Sequence, residues 1–320
     1  MTVYRQADVD VRGGPLRVGI WDSDDISGDA EPDTTVLAVH GITATHVAWA
    51  PVAQRLTVGA TGTRVIGVDL RGRGRSSSLP GPWGMDSHAA DVAEVLERLG
   101  CTRALVLGHS MGGFVAVVFG ARYPSSVAAL VLVDGGLPLM SPDPPPVANI
   151  SPAQALRVTL GPAAERLSMT FRSVGEYREF WRAHPAFGPN WSDAVERYVD
   201  YDLIGEPPVL RSSVSYEALV ADSAELSDPE VIISAWQAVN VETLFLRAPL
   251  GLLAQPPGLY PPSQLKSWAL AHPNLTWIEV PNVNHYTITL GAAGADAVAF
   301  AVLTVAGRLG RMTSAESAST

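Results

Sequence analysis

Ala104-Leu105-Val106-Leu107-Gly108-His109-Ser110-Met111-Gly112 is the stretch whose reading decides the architecture of this chain. Four apolar residues run into a glycine, and the text from about 112 to 123 is helical in pattern. The order is therefore strand, sharp turn, helix, with G-x-S-x-G on the turn. Such a turn holds the serine in a strained backbone conformation at its tip, with the hydroxyl projecting above the sheet. The glycines two before and two after must lack side chains so that strand and helix can approach. Ser110 reads as a nucleophile.

The same alternation extends outward on both sides. Residues 3–11 and 16–21 read as two strands joined by a Gly13-Gly14 turn. Thr35 to Val39, Val65 to Asp69, Ala104 to Gly108 and Ala129 to Val133 are short, almost wholly apolar and closed by Gly, His or Asp. Runs of that kind suit central strands covered on both faces. Helical patterns at about 46–57, 86–99 and 112–123 separate them, as βαβ units and a mostly parallel sheet require. After Asp134 the pattern breaks. Residues 138–152 are Pro-rich, and 153–240 read as helical without a strand-like run. Two more strands, Thr243 to Arg247 and Thr276 to Val280, follow with helices near 262–271 and 292–308. This predicts a core over 1–136 and 241–310, a helical insertion over 137–240 and a flexible tail over 311–320.

The 320 residues carry 22 basic and 32 acidic side chains, a net charge of -10 and a pI near 5.1. A duplex nucleic-acid binder needs a basic stripe, and none is present, so nucleic acid and anionic membrane surfaces are not expected partners. The single cysteine, Cys101, excludes an intramolecular disulfide framework and a multi-cysteine metal site. The N-terminal text lacks the layout of a secretion signal, and the longest apolar stretch, Ala292 to Leu309, is broken by Gly294, Asp296 and Gly307. A cytoplasmic protein, monomer or homodimer, is the expectation.

Two further motifs flank the elbow. His40-Gly41-Ile42 ends one strand, and Asp69-Leu70-Arg71-Gly72-Arg73-Gly74-Arg75-Ser76 ends another. The second lacks the third glycine of a dinucleotide loop, so it reads as architecture, its arginines paired with surface acids. With G-H-S-M-G at Gly108 to Gly112, the order and spacing of these motifs resemble the α/β-hydrolase superfamily, over about 16–135 and more loosely over about 240–308. The resemblance implies an α/β-hydrolase fold: a mostly parallel twisted sheet flanked by helices, with a helical cap inserted after the sixth strand. It also implies an oxyanion hole from the backbone N–H groups of Ile42 and Met111. His40 then reads as a structural histidine.

The resemblance further asks for a histidine base after the last strand, where His285 stands, and for an acid to orient it. Most members carry the acid after the seventh strand, but no Asp or Glu occurs here between Glu242 and Glu279. Asp134, at the end of the sixth strand, is the candidate, since some members place it there; its other reading is a loop cap. Ser110, His285 and Asp134 imply acyl transfer to water without a metal or an organic cofactor. Aromatics of the insertion either wall a cleft or form that segment's own core. Trp83, Met111, Met140, Trp181, Trp191 and Tyr286 are the candidates to face the cleft. The expected substrate is a small hydrophobic ester or lactone with a bulky portion. A C–C bond hydrolase of diketone acids stays open, with Arg178, Arg182 or Arg211 to hold a carboxylate. A non-catalytic ligand-binding role and cofactor-free peroxidase-like activity stay open too.

Overall fold

The computed structural model describes residues 2–26, 30–139 and 160–317. Eight strands form one sheet: β1 (Val3–Val11), β2 (Gly14–Asp22), β3 (Thr34–Val39), β4 (Thr63–Val68), β5 (Ala104–His109), β6 (Val127–Val133), β9 (Thr243–Arg247) and β10 (Leu275–Glu279). Their order is β1-β2-β4-β3-β5-β6-β9-β10. The β1–β2 and β2–β4 pairs are antiparallel, and every pair from β4 to β10 is parallel. Strand β5, which delivers the elbow, sits near the middle of the sheet.

Successive residues of the central strands serve opposite faces. Leu105 and Leu107 join Val36, Ala38, Val131 and Val133 in a cluster closed by helices α1 (Ala50–Gly59) and α11 (Ala292–Ser317). Val106 joins Leu37, Val39, Leu130 and Leu132 on the other face, under α2 (Met85–Arg98) and α3 (Met111–Arg122). With both faces covered there is no polar face to alternate with, which is why these strands are continuous apolar runs. By length and composition alone, Ala292–Arg311 could cross a membrane. Its Ala295, Val298, Val302 and Val305 are buried in the sheet's cluster.

Between β6 and β9 the described residues carry α4 (Pro162–Glu165), α5 (Val174–Arg182), α6 (Asp193–Asp202), α7 (Tyr216–Leu226) and α8 (Pro229–Ala238). They also carry strands, which the reading of this region as wholly helical did not contain. Strands β7 (Leu203–Glu206) and β8 (Val209–Ser212) pair as an antiparallel hairpin turning at Pro207-Pro208. Four-residue strands interrupted by prolines are too short to show a period. Phe171, Tyr177, Trp181, Phe187 and Tyr198 pack with Tyr286 and Leu290 in a third cluster. Helix α8, inside the range expected for the insertion, packs on α3, and its Trp236 lies in the main core. At the other end α11 runs on to Ser317, past the expected helix end near 308, because no proline stops it. Met140 and the Pro-rich run 142–152 lie outside the described residues.

Candidate active site

Ser110 occupies the turn between β5 and α3 with φ 55 and ψ -125, a conformation that costs a non-glycine residue on the order of 1–3 kcal/mol. Close packing on both sides maintains it. A Cβ on Gly108 would run into the carbonyl of Gly112, and one on Gly112 into the carbonyl of Val39. The glycines of the motif are therefore demanded by backbone contacts. Ser110 N–H donates to the Val133 carbonyl at 3.0 Å, tying the elbow to β6.

Asp134 follows that same strand, fully buried and itself at positive φ, 47°. Its Oδ2 accepts from His285 Nδ1 at 2.7 Å, and its Oδ1 accepts the Ala248 backbone N–H at 3.1 Å. The carboxylate can only accept, so Nδ1 carries the proton and Nε2 of His285 is the free basic nitrogen. His285 lies in the loop after β10. Its backbone carbonyl accepts from His109 Nε2 at 2.8 Å. The two imidazole rings lie 4.6 Å apart. Burial, together with the His285 ring, holds His109 well below the ordinary histidine pKa, so it is neutral.

Ser110 and His285 line one cavity with about 410 Å³ of atom-free space, its open mouth included. Ile42 lines it as well. Met111, buried, is the first residue of α3, where a backbone N–H has no acceptor within the helix. The Gly41 carbonyl accepts from His40 Nδ1 at 2.7 Å and from Ala44 N–H at 3.0 Å. Because a trans peptide points C=O and N–H in opposite directions, that grip also aims the Ile42 N–H. His40 accepts the Leu70 N–H at Nε2, and burial pushes its pKa down to about 3. It is a buried, neutral, doubly bonded histidine, consistent with a structural place.

The cavity wall differs from the expectation. Tyr286 lines it; Trp83, Met111, Trp181 and Trp191 are not among the lining residues. Trp181 is 2% exposed in the third cluster, where large rings of the insertion pack on one another. Trp191 stacks under the Arg182 guanidinium, and Trp83 packs against Gly72 and Gly81. The residues the sequence reading missed are Thr43, Ala44, Ala48, Leu160, Tyr198, Thr289 and Leu290. Small residues such as Ala44 and Ala48 carry no chemical signal that marks a wall in advance. Two arginines of the Asp69 to Ser76 motif also differ from expectation, because their partners are interior. Arg71 makes a two-pronged bond to Asp91, and Arg73 pairs with Asp222, all four side chains nearly or fully buried.

An eight-stranded, mostly parallel sheet with a strained serine at a central strand end is the α/β-hydrolase fold. The chain has this fold and resembles the α/β-hydrolase superfamily. The family described as "alpha/beta hydrolase fold" matches residues 34–187. The bifunctional esterase/perhydrolase of Acinetobacter calcoaceticus is 44% identical over 89 residues, 28% of this chain and 32% of that protein. The 2-hydroxy-6-oxononadienedioate/2-hydroxy-6-oxononatrienedioate hydrolase of Burkholderia vietnamiensis is 39% identical over 103 residues, 32% and 36% of the two chains. The matches thus span only about a third of such relatives. Among solved structures, the thioesterase domain from the curacin biosynthetic pathway is similar with a TM-score of 0.70 at 20% identity. That likeness covers 94% of this chain and 99% of that one, and at such identity it speaks for the fold alone.

Proposed function

We propose that this hydrolase cleaves a neutral carboxylic ester or lactone with a hydrophobic portion through an acyl-enzyme on Ser110. The observation that carries the reading is the Asp134–His285 bond at 2.7 Å beside a cavity that both His285 and Ser110 line. His285 Nε2 takes the Ser110 proton as Oγ bonds to the carbonyl carbon. The backbone N–H groups of Ile42 and Met111 hold the oxyanion, each worth roughly 3 kcal/mol in the transition state. The imidazolium returns its proton to the leaving alkoxide. Water then attacks the acyl group, with His285 again as base. Asp134 keeps one tautomer and stabilises the imidazolium throughout.

The chemistry of the wall supports a neutral substrate. Among the described residues, the lining consists of alkyl and aromatic groups, a few hydroxyls and two histidines, with no Arg, Lys, Asp or Glu. C–C bond hydrolysis of a dioic acid, as the Burkholderia relative is named for, calls for a cation to meet the carboxylate. Arg178 is instead bound to Asp200 and Glu196, and Arg182 to Glu179 and Glu196. Arg211 is exposed on β8 and is not among the lining residues.

A panel of p-nitrophenyl esters and aromatic lactones, run on wild type, Ser110→Ala and Asp134→Asn, tests the reading. Turnover by wild type and its loss in both variants is the expected result. An inert wild type whose Ser110 is not labelled by a fluorophosphonate would overturn it.

A further inference from the structure

The oxyanion loop, Gly41 to Ala44, is held from outside by two buried guanidinium groups. Arg73 Nε donates to the Ile42 carbonyl at 2.9 Å, and Arg166 Nη2 donates to the Thr43 carbonyl at 2.9 Å. Arg73 is 0% exposed and Arg166 1%. With the Gly41 carbonyl held by His40, three successive peptide planes each have their carbonyl fixed by a side chain. The plane carrying the Ile42 N–H can turn only if its neighbours turn with it.

Each arginine is paired with a buried carboxylate. Arg73 Nη1 pairs with Asp222 on α7 at 2.5 Å, and Asp222 also takes His88 Nε2 at 3.0 Å and the Gly84 N–H at 2.7 Å. Arg166 Nε bonds Asp202, at the end of α6, and the Tyr177 hydroxyl, each at 3.1 Å; its Nη1 bonds the Ala163 carbonyl. Asp202 is in turn held by Ser212 at 3.0 Å, by the Ser213 hydroxyl at 2.9 Å and by the Tyr177 hydroxyl. Burying two unneutralised guanidinium groups would be prohibitive, and each has its carboxylate on the chain between β6 and β9. The loop that lies beside Ser110 is therefore anchored to the segment above it, not only to the sheet from which it emerges.

We infer that Arg73 and Arg166 are positioning residues: through Asp222 and Asp202, they make α6 and α7 set the orientation of the Ile42 N–H in the oxyanion hole. The inference rests on the serine-hydrolase reading. It assigns to both arginines a contribution that appears only where negative charge develops, hence in kcat and not in substrate binding.

Arg166→Lys and Arg73→Lys keep the charge opposite each aspartate but lose the planar fork that reaches the loop carbonyl as well. Asp202→Asn, a near-isostere, gives a further route if a lysine variant does not fold. For p-nitrophenyl butyrate, kcat should fall about tenfold or more with KM within about twofold, the loss expected of a displaced oxyanion donor. Inactivation of Ser110 by a fluorophosphonate, whose phosphoryl oxygen seats in the same hole, should slow by a similar factor. Folded variants with wild-type kcat and labelling rate would overturn the inference, as would a rise in KM with kcat retained. If wild-type Ser110 is not labelled at all, the serine-hydrolase reading falls and this inference with it; a labelled wild type with unaltered variants overturns this inference alone.

Discussion

Asp134 Oδ1 accepts the backbone N–H of Ala248 at 3.1 Å, so a carboxylate rooted at the end of β6 is braced by the residue that follows β9. The turn after β9 is where most relatives are expected to keep the acid, and here it contributes a backbone amide instead. The other oxygen is left to His285. Asp134→Asn can keep the Ala248 bond while presenting an amide that cannot both do so and accept from Nδ1. The imidazole then loses its enforced tautomer, and kcat should drop by about 10⁴-fold with little change in far-UV circular dichroism. A tenfold loss or less would mean that another group orients His285.

Acid should weaken the fold through its interior histidines. Burial lowers the pKa of His40 to about 3 and that of His184 to about 4, against an ordinary value near 6.5. Between those values the unfolded chain binds protons that the folded chain refuses. The stability these groups carry is full above about pH 6.5 and lost as pH falls, at up to about 1.4 kcal/mol per pH unit for each. Melting temperature should decline from pH 7 to pH 4, and His40→Asn should flatten the slope. A flat profile over that range would contradict the assignment.

Trp181 and Trp191, read from sequence as possible cleft walls, should behave as structural residues of two kinds. Trp181→Ala removes a fully buried ring and should cost about 3–5 kcal/mol in urea unfolding. Trp191→Ala loses its stacking under Arg182 and its Nε1 hydrogen bond to Glu196 and should cost about 1–2 kcal/mol. Neither should shift KM for a short ester by more than about twofold, which steady-state kinetics will check.

Ala48→Leu, in contrast, adds bulk to the cavity wall. Each methylene that no longer fits is worth about 1–3 kcal/mol of discrimination. The kcat/KM for long acyl esters should fall at least about tenfold relative to acetate. An unchanged chain-length profile would show that the acyl group lies elsewhere.

Arg71 and Asp91 form a buried, two-pronged pair, and Arg71 also reaches the carbonyls of Arg12 and Pro80. Arg71→Met leaves Asp91 uncompensated and should cost about 3–5 kcal/mol. Arg71→Met with Asp91→Leu should recover a good part of it, measured by thermal unfolding.

What the sequence made legible follows from how strongly each element is determined. Strands covered on both faces must be apolar throughout, so Thr34–Val39, Ala104–His109 and Val127–Val133 lie within two residues of where the runs place them. The elbow is readable because backbone contacts leave Gly108 and Gly112 no alternative. Asp134 stood out only because the downstream position is empty of acids. The rest carried no distinguishing mark. An aromatic ring such as Trp181 has the same composition signature in a pocket wall and in a core. Arg73 and Asp222 lie far apart in sequence, and no periodicity shows that both become interior.

The bond between Asp134 and His285 joins residues 151 positions apart. Closing a loop of that length costs roughly 4 kcal/mol of chain entropy plus a constant, and it cannot begin until the later residue has been synthesised. The serine's turn, with β3, β5 and β6 around it, can form while the base is still inside the ribosome. On the serine-hydrolase reading, a polypeptide built in this order carries Ser110 without its base until His285 has been made, and gains hydrolytic power only when that long-range contact closes. Emerging activity would accordingly serve as a stopwatch for the completion of long-range structure.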